Sequence, residues 1–252
     1  MLFIWILNGR KIKNLIFIVV AAFFAALVAF VQNEEITVFS TNDGPRALSK
    51  VETNKKQVAL TFDIGWGDDR LDPILNYLEK NKIRATFFIT GEWAERHKEV
   101  VEEMKKKGFE IDSHGYRHEA YTALKSNEIT RDIQLAASAI EKASGSKPEF
   151  IRPPEGKINS SVLKTASDTG EQVVLWSVNP QDWKNSNYKS IANDVIEQSE
   201  KGGIIRLHGS DSATQTYKAL PIIINKLKDK HYSFVTLKEL VSDSTTKIKN
   251  IQ

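Results

Sequence analysis

The sequence predicts an α/β fold: a distorted (β/α) barrel of about seven parallel strands that follows one N-terminal transmembrane helix. Three observations support this prediction. From Gln57 onward, short apolar runs alternate with amphipathic helical patterns, the runs are almost continuously apolar, and reactive side chains recur at their ends. Parallel strands that are buried on both faces have this near-continuous apolar character. Seven such repeats fit an incomplete barrel better than a short open sheet.

Each strand is assigned from a short run rich in β-branched and aromatic residues, and each helix from an amphipathic stretch between two runs. The predicted strands are 57–63, 84–90, 109–115, 150–154, 172–179, 203–209 and 233–237. The clearest predicted helices are 71–82, 93–108 and 127–145.

The N-terminal region indicates export. Residues 15–31 form an apolar run without a charge, which is long enough for a membrane-spanning helix. Basic residues precede the run, so the positive-inside bias places residues 1–14 in the cytoplasm and the remainder outside. A signal peptide that is cleaved to release a secreted protein is the alternative. The remaining segments are a polar tether at 32–56, the α/β domain at 57–240 and a polar tail at 241–252.

Composition excludes several classes of protein. The 252-residue chain has no cysteine, so disulfides and thiolate metal sites are impossible and any metal ligand must be His, Asp, Glu or water. The net charge of +3 is spread along the chain, without a basic cluster beside an aromatic platform. We therefore expect no nucleic-acid partner.

Five reactive side chains fall at or near the ends of predicted strands. Because the carboxyl ends of parallel strands share one face, these side chains should meet at one rim of the barrel. They are Asp63, His114, Arg152, Asp182 and His208.

These residue types indicate acid–base and metal chemistry. His114 and His118, four residues apart, can share one divalent ion, although two surface histidines at a helix start would look the same. Asp63 can take a proton from a metal-bound water, and His208 can donate one to a leaving amine. A turn-capping aspartate and a half-buried histidine are the ordinary alternatives.

The remaining candidate residues either hold a catalytic side chain in place or contact the substrate. Arg152 precedes two prolines that keep the backbone extended, and its guanidinium can hold a catalytic carboxylate or bridge to a surface acid. Trp183, next to Asp182, can be a platform for a sugar ring or a cover for the core. Pro153 and Trp183 are the candidate substrate contacts.

These motifs resemble, in order and across residues 57–240, those of the polysaccharide deacetylases, the NodB-homology family also called carbohydrate esterase family four. The resemblance is nearest to the sporulation-associated, PdaB-type deacetylases of Bacillus species. It implies that Asp63 is the catalytic base and that His114 and His118 are metal ligands. The matching motifs are Thr61–Gly65, His114–His118, Arg152–Gly156, Asp182–Trp183 and Leu207–His208.

The same resemblance implies roles for the other motif residues. Arg152 holds the base, Asp182 orients the catalytic histidine, Trp183 walls the pocket and His208 is the general acid.

Four positions depart from the family pattern. Ile64 stands where a second aspartate normally completes an Asp-His-His metal site. Gly115 replaces the usual Ser or Thr after the first histidine, Asn179 replaces an Asp that often begins the fourth motif, and Arg206 replaces an apolar residue.

Three outcomes are open for the metal. Water, a substrate oxygen or Asp63 can fill the vacant position, Asp68 or Asp69 can fold back to coordinate the ion, or the metal is lost and the groove binds sugar. We favour a weakened or rebuilt site for a divalent ion, zinc or another late first-row metal.

The expected function is metal-assisted hydrolysis of N-acetyl groups on amino sugars of cell-wall peptidoglycan, in particular spore peptidoglycan. A glycan-binding protein of the same fold, with little or no activity, is the alternative. A purely structural membrane protein would leave the clustered rim residues unexplained.

Overall fold

A computed structural model gives the architecture of residues 40–41 and 44–248. Residues 44–248 form one compact unit. The predicted transmembrane helix at 15–31 lies outside the described residues. Within the described part, none of the helices has both the length and the apolar character that a bilayer crossing requires.

A parallel sheet of seven strands is the centre of the described unit. Its strands are β3 (Gln57–Ile64), β4 (Thr86–Ile89), β5 (Glu110–Ser113), β6 (Phe150–Ile151), β7 (Gln172–Val173), β8 (Gly203–His208) and β9 (Ser233–Val235). The order is β7-β6-β5-β4-β3-β8, and β9 pairs with the first residues of β3. Each predicted strand overlaps one of these seven, so the predicted parallel α/β fold is confirmed. Two further short strands are β1 (Ser40–Thr41) and β2 (Gly44–Pro45).

The sheet curves into a half-barrel whose wall is irregular between β7 and β8. After β7 the chain leaves β6 and crosses to β8, where Val178 forms a single parallel bridge to Ile205. The predicted strand 172–179 is therefore a two-residue strand followed by an irregular crossing. This crossing brings the loop that follows residue 179 beside the end of β8.

The segment before β3 also belongs to the sheet. Leu48 N–H donates to the carbonyl of Val173, and Leu175 N–H donates to the carbonyl of Leu48, at 2.8 and 2.7 Å. Leu48 and Val51 are buried. The sequence assigned residues 47–51 to the polar tether, but they pack against the domain. The reason is that Leu48 and Val51 form hydrogen bonds with backbone that no regular strand covers.

Helices connect the strands and cover the outside of the half-barrel. In residues 44–248 they are α1 (Leu71–Lys80), α2 (Gly91–Arg96), α3 (Lys98–Lys106), α4 (Ser126–Ser144), α5 (Ser160–Asp168), α6 (Tyr188–Gln198), α7 (Thr216–Asp229) and α8 (Leu237–Ile248). The predicted helix 93–108 is divided at His97, whose backbone leaves the helical region. Helix α8 extends to Ile248, into the segment assigned to the polar tail.

Strand β3 separates the apolar core from the reactive interior. Phe62 and Ile64 are fully buried in the main hydrophobic cluster, and the ring of Phe62 stacks on Phe87 with centroids 5.0 Å apart. Side chains alternate along a strand, so Thr61 and Asp63 lie on the opposite face. The core therefore fixes the strand that presents Asp63 to the site.

Candidate active site

Asp63 is a buried carboxylate held between two guanidinium groups. Arg152 Nη1 donates to Oδ1 at 2.6 Å, and Arg206 Nε donates to Oδ2 at 2.7 Å. Burial by itself raises the pKa of the Asp63 carboxyl, but the positive charges of Arg152 and Arg206 outweigh it and hold this pKa far below its usual range. Asp63 is therefore ionised, and it is a weaker base than a free carboxylate.

The terminal nitrogens of Arg152 make several contacts that hold the guanidinium in place, while its Nε is buried without a hydrogen-bond partner. Besides Asp63, its guanidinium donates to Thr61 Oγ1 at 2.9 Å and to the carbonyl of Leu175 at 3.0 Å. Its charge lies 4.1 Å from the ring centre of Phe88. The following residue, Pro153, is buried, so the structure places this candidate substrate contact away from the surface.

Arg206 is the site residue that the sequence did not assign. It lies on β8 two residues before His208, so both side chains are on the same face of the strand. The guanidinium stacks 4.0 Å from the ring centre of Trp176 and lies 5.1 Å from that of Trp183. Besides its departure from the family pattern, the sequence signal for Arg206 was a single charge in an otherwise apolar strand, because such a charge requires a partner.

His114 and His118 lie together, as predicted. Their ring centres are 4.8 Å apart, and His118 packs over Gly65. His114 Nδ1 donates to the carbonyl of Arg152 at 2.6 Å, which leaves Nε2 with its lone pair, 4.0 Å from Asp63 Oδ2. Burial lowers the pKa of His114 to about 3 and also lowers the pKa of His118, so both imidazoles are neutral at physiological pH.

The third position of a metal site is not filled by an oxygen ligand. Ile64 is fully buried, and its side chain packs against Gly209. Two carboxylates of neighbouring loops are engaged elsewhere: Asp68 is paired with His97 at 3.6 Å, and Glu155 with Lys157 at 2.5 Å.

The donor set can therefore be compared with the needs of a divalent ion. Within residues 44–248, no three His, Asp or Glu side chains converge closely enough to hold one. Both Asp63 oxygens already accept a hydrogen bond from a guanidinium, so an ion bound to Asp63 would lie beside positive charge. Two neutral imidazoles without a free carboxylate do not fit the expected Asp-His-His metal site.

His208 is hydrogen-bonded to Asp182. Its ring Nδ1 donates to Asp182 Oδ1 at 2.7 Å and its backbone N–H donates to Oδ2 at 2.9 Å. Thr216 Oγ1 adds a third hydrogen bond to the carboxylate at 2.6 Å. Because Asp182 accepts the Nδ1 proton, Nε2 is the nitrogen available for proton transfer. The Trp183 ring lies 4.7 Å from the imidazole and forms one wall.

The two halves of the site meet at adjacent strands. Asp63 on β3 and His208 on β8 are paired directly in the parallel register. The structure thus brings together the predicted residues Asp63, His114, His118, Arg152, Asp182, Trp183 and His208. A carboxylate held by arginine beside a histidine held by aspartate defines an acid–base site on a parallel α/β half-barrel.

Comparison with known proteins agrees with this class. The family described as "Polysaccharide deacetylase" matches residues 50–174. The chain is 38% identical over 196 residues to a peptidoglycan-N-acetylglucosamine deacetylase of Bacillus cereus, a match that covers 76% of this chain and 91% of that protein. The chain therefore belongs to the polysaccharide deacetylase family, and its relatives that are named as deacetylases are hydrolases.

Two further relatives bear on the site. The peptidoglycan-N-acetylmuramic acid deacetylase PdaC of Bacillus subtilis is 37% identical, over 75% of this chain but only 40% of PdaC. The structure of BA3943 from Bacillus anthracis, described as a CE4 family pseudoenzyme, matches with a TM-score of 0.74 and 30% identity, over 79% of this chain and 69% of that chain. A BA3943 mutant described as having restored enzymatic activity matches with the same TM-score at 31% identity, over 79% and 72%.

Proposed function

We propose that this protein hydrolyses N-acetyl groups on amino sugars of peptidoglycan. The observation that carries the proposal is the pairing of Asp63, held by Arg152, with His208, held by Asp182, on adjacent strands. The names of the Bacillus relatives support an N-acetylated cell-wall glycan as substrate. A role in spore peptidoglycan is proposed from the resemblance of the motifs to sporulation-associated deacetylases alone.

The reaction can be followed through the residues of the chain. Asp63 removes a proton from a water molecule whose oxygen adds to the acetyl carbon. His208, protonated at Nε2, donates that proton to the amide nitrogen as the carbon–nitrogen bond breaks. The products are acetate and a sugar with a free amine. The expected zinc-assisted step is not part of this proposal, because the donor set does not fit the ion.

Two tryptophans are suited to bind the sugar chain. Trp183 lies against His208 at the site. Trp66 is 58% exposed and belongs to the loop that follows β3. This loop is held by Trp93 Nε1, which donates to the carbonyl of Gly67 at 2.8 Å. A fixed loop that presents an indole to solvent next to a catalytic residue offers a stacking surface for a pyranose ring.

We also propose that residues 15–31 anchor the protein in the cell membrane, with the N-terminus in the cytoplasm and the catalytic domain outside. Protease added to intact protoplasts should then digest the catalytic domain but spare an epitope tag at the N-terminus. A protein found free in the culture medium that lacks residues 1–31 would instead show signal cleavage.

The enzymatic proposal is tested by measuring acetate release and glycan binding on the same samples. The full chain should release acetate from N-acetylated peptidoglycan fragments. Asp63→Asn should lower turnover by about 10²–10⁴-fold while changing glycan affinity by much less. Equal losses of turnover and affinity would contradict the assignment of Asp63 as the base.

A second candidate, a glycan-binding protein with little turnover, is favoured by the two guanidinium groups on Asp63 and by the incomplete metal site. The structural relative described as a pseudoenzyme supports the same candidate. Glycan binding without acetate release from any peptidoglycan fragment, N-acetylglucosamine- or N-acetylmuramic acid-based, would establish it.

A further inference from the structure

We propose that the guanidinium of Arg206 takes the place of a divalent ion in this site, supplying the positive charge that faces the substrate's acetyl oxygen. Two claims follow: the site does not retain zinc, and Arg206 binds the acetamido or acetate oxygen. The first claim stands on the donor set alone. The second claim, so far as catalysis is concerned, rests on the proposed function.

The guanidinium of Arg206 lies close to the place that an ion on His114 would occupy. Its Nε is 2.7 Å from Asp63 Oδ2, and that same oxygen is 4.0 Å from His114 Nε2. An ion bound at His114 Nε2, at the usual distance of about 2.0–2.1 Å, would lie close to the guanidinium. Two positive charges in a site shielded from water repel strongly. The carboxylate oxygen nearest to His114 Nε2 already accepts a hydrogen bond from Arg206, so an ion on this oxygen would have to share it with that guanidinium.

The charge balance of the site also involves Ile64. Compared with the motifs that the resemblance implies for a metal-dependent deacetylase, the buried alkyl chain of Ile64 stands in place of a carboxylate and Arg206 stands in place of an apolar side chain. Each change raises the charge of the site by one. Together they match the two positive charges of a divalent ion, so the electrostatic balance around Asp63 is kept while the ion itself is lost.

The terminal nitrogens of Arg206 are free to donate hydrogen bonds to a substrate. Within residues 44–248, only Nε of this guanidinium makes a hydrogen bond to the protein. The flat face rests on Trp176, which fixes the orientation of the terminal nitrogens without using them. A guanidinium held in this way presents N–H donors that match a carboxylate or a carbonyl oxygen. During hydrolysis they would stabilise the oxyanion that forms when water adds to the acetyl carbon.

Zinc binding tests the first claim without any need for activity. Zinc is titrated calorimetrically into the metal-stripped full chain and into Ile64→Asp, Arg206→Met and the double variant. We expect no binding below about 1 mM for the wild type and both single variants, and a site with micromolar affinity in the double variant. Micromolar binding to the wild type that His114→Gln abolishes would overturn the proposal.

Acetate binding tests the second claim and keeps the proposal falsifiable if Ile64→Asp fails to fold. The probe is sodium acetate, with thermal unfolding measured for every variant. Wild type should bind acetate, Arg206→Met should lose at least about tenfold in affinity, and Arg206→Lys should lose less because the charge remains. Equal affinity in folded wild type and Arg206→Met would refute this role.

Activity then separates this inference from the proposed function. Acetate release that is unchanged by a chelator and lost in Arg206→Met supports both. Acetate release that a chelator abolishes supports the deacetylase but overturns the inference. If no acetate is released at all, the proposed function fails, while the zinc and acetate titrations still decide the role of Arg206.

Discussion

Asp182 binds His208 at two points, through the ring Nδ1 at 2.7 Å and through the backbone N–H at 2.9 Å. This double contact fixes both the place of the histidine on the strand and the tautomer of its ring. We predict that Asp182→Asn lowers acetate release by about 10²–10⁴-fold, because an amide can present its NH₂ group to Nδ1 and favour the wrong tautomer. Nitrogen chemical shifts of the His208 ring, measured by NMR, should show the proton moving from Nδ1 to Nε2. Thr216→Ser, which keeps the third hydrogen bond to Asp182, is the matched control and should leave the shifts unchanged.

A second prediction concerns the stability of the buried charges. Arg152→Met removes one of the two cations that pair with Asp63 inside the protein. Breaking a buried pair typically costs about 3–5 kcal/mol, and we expect the lower end because Arg206 remains. Urea unfolding measures the loss. Adding Asp63→Asn should recover part of it; a double variant that is less stable than Arg152→Met would show that the buried charge was not the cause.

Gly115 gives a third prediction, on the loop that carries both histidines. Its φ is +75°, and a Cβ there would lie 2.7 Å from Tyr121 Oη and 3.0 Å from Asp132 Oδ1. Those two groups are hydrogen-bonded to each other, and Asp132 also accepts the backbone N–H of Tyr116. The glycine that departs from the family pattern is thus required by the local backbone and by this contact.

Gly115→Ala should therefore lower the free energy of unfolding by about 2–4 kcal/mol, since backbone strain and overpacking add. Gly145→Ala is a matched control, because Gly145 has a φ of +73° but no atom within 4 Å of an added Cβ. It should cost only about 1 kcal/mol. Similar losses at both positions would show that the contact with Tyr121 and Asp132 does not matter.

A fourth prediction concerns pH and lies away from the site. Burial raises the pKa of Glu171 well above its usual value, and the charge of Asp112 raises it further. The Glu171 Oε2 and Asp112 Oδ2 atoms are buried without a hydrogen-bond partner. The folded protein therefore favours protonated Glu171. Its contribution to stability is complete below the unfolded-state pKa of about 4.3 and is lost as the pH rises towards the folded-state pKa.

Glu171→Gln should remove this dependence. We expect the variant to gain stability relative to wild type at pH 8, by about 1.4 kcal/mol for each unit by which the pKa is raised, and to gain nothing at pH 4. Thermal unfolding across this pH range measures the difference. A constant difference at all pH values would mean that the carboxyl does not titrate in the folded protein.

A fifth prediction concerns Trp66. Trp66→Ala should weaken binding of peptidoglycan fragments by about 3- to 10-fold, the range expected for one lost aromatic contact, with stability unchanged. Leu135 on helix α4, which is 41% exposed, supplies the control variant Leu135→Ala. A loss of affinity in both variants, or in neither, would remove Trp66 from the glycan-binding surface.

The sequence predicted the central strands well because their signal is local. Strands β3 and β8 are found within one residue of their predicted ends, since each is a mostly apolar run with a polar residue at or next to its end. The predicted strand 172–179 was less accurate because its regular pairing stops after Val173. The division of one predicted helix at His97 was also missed, because it depends on the stacking of His97 on Trp93.

The same distinction explains the site. Asp63, His114, His118, Arg152, Asp182, Trp183 and His208 could be predicted because each lies in a motif at a strand end. Arg206 was noticed only as a departure, since its partner Asp63 is 143 residues away along the chain. The local sequence also could not decide whether Asp68 folds back to bind a metal. Asp68 pairs instead with His97, which is distant in the sequence.

The backbone of Leu48 connects the incoming chain to the chemistry over a very short path. Leu48 bonds to the two residues that flank Val174, and the carbonyl of one of them, Leu175, holds the guanidinium of Arg152. A shortened protein that started at Gln57, where the regular pattern begins, would lose this brace and with it the alignment of Arg152. Assays on a shortened protein should therefore retain every residue from 44 onward, because a pull on Leu48 would reach the catalytic carboxylate through a single side chain, that of Arg152.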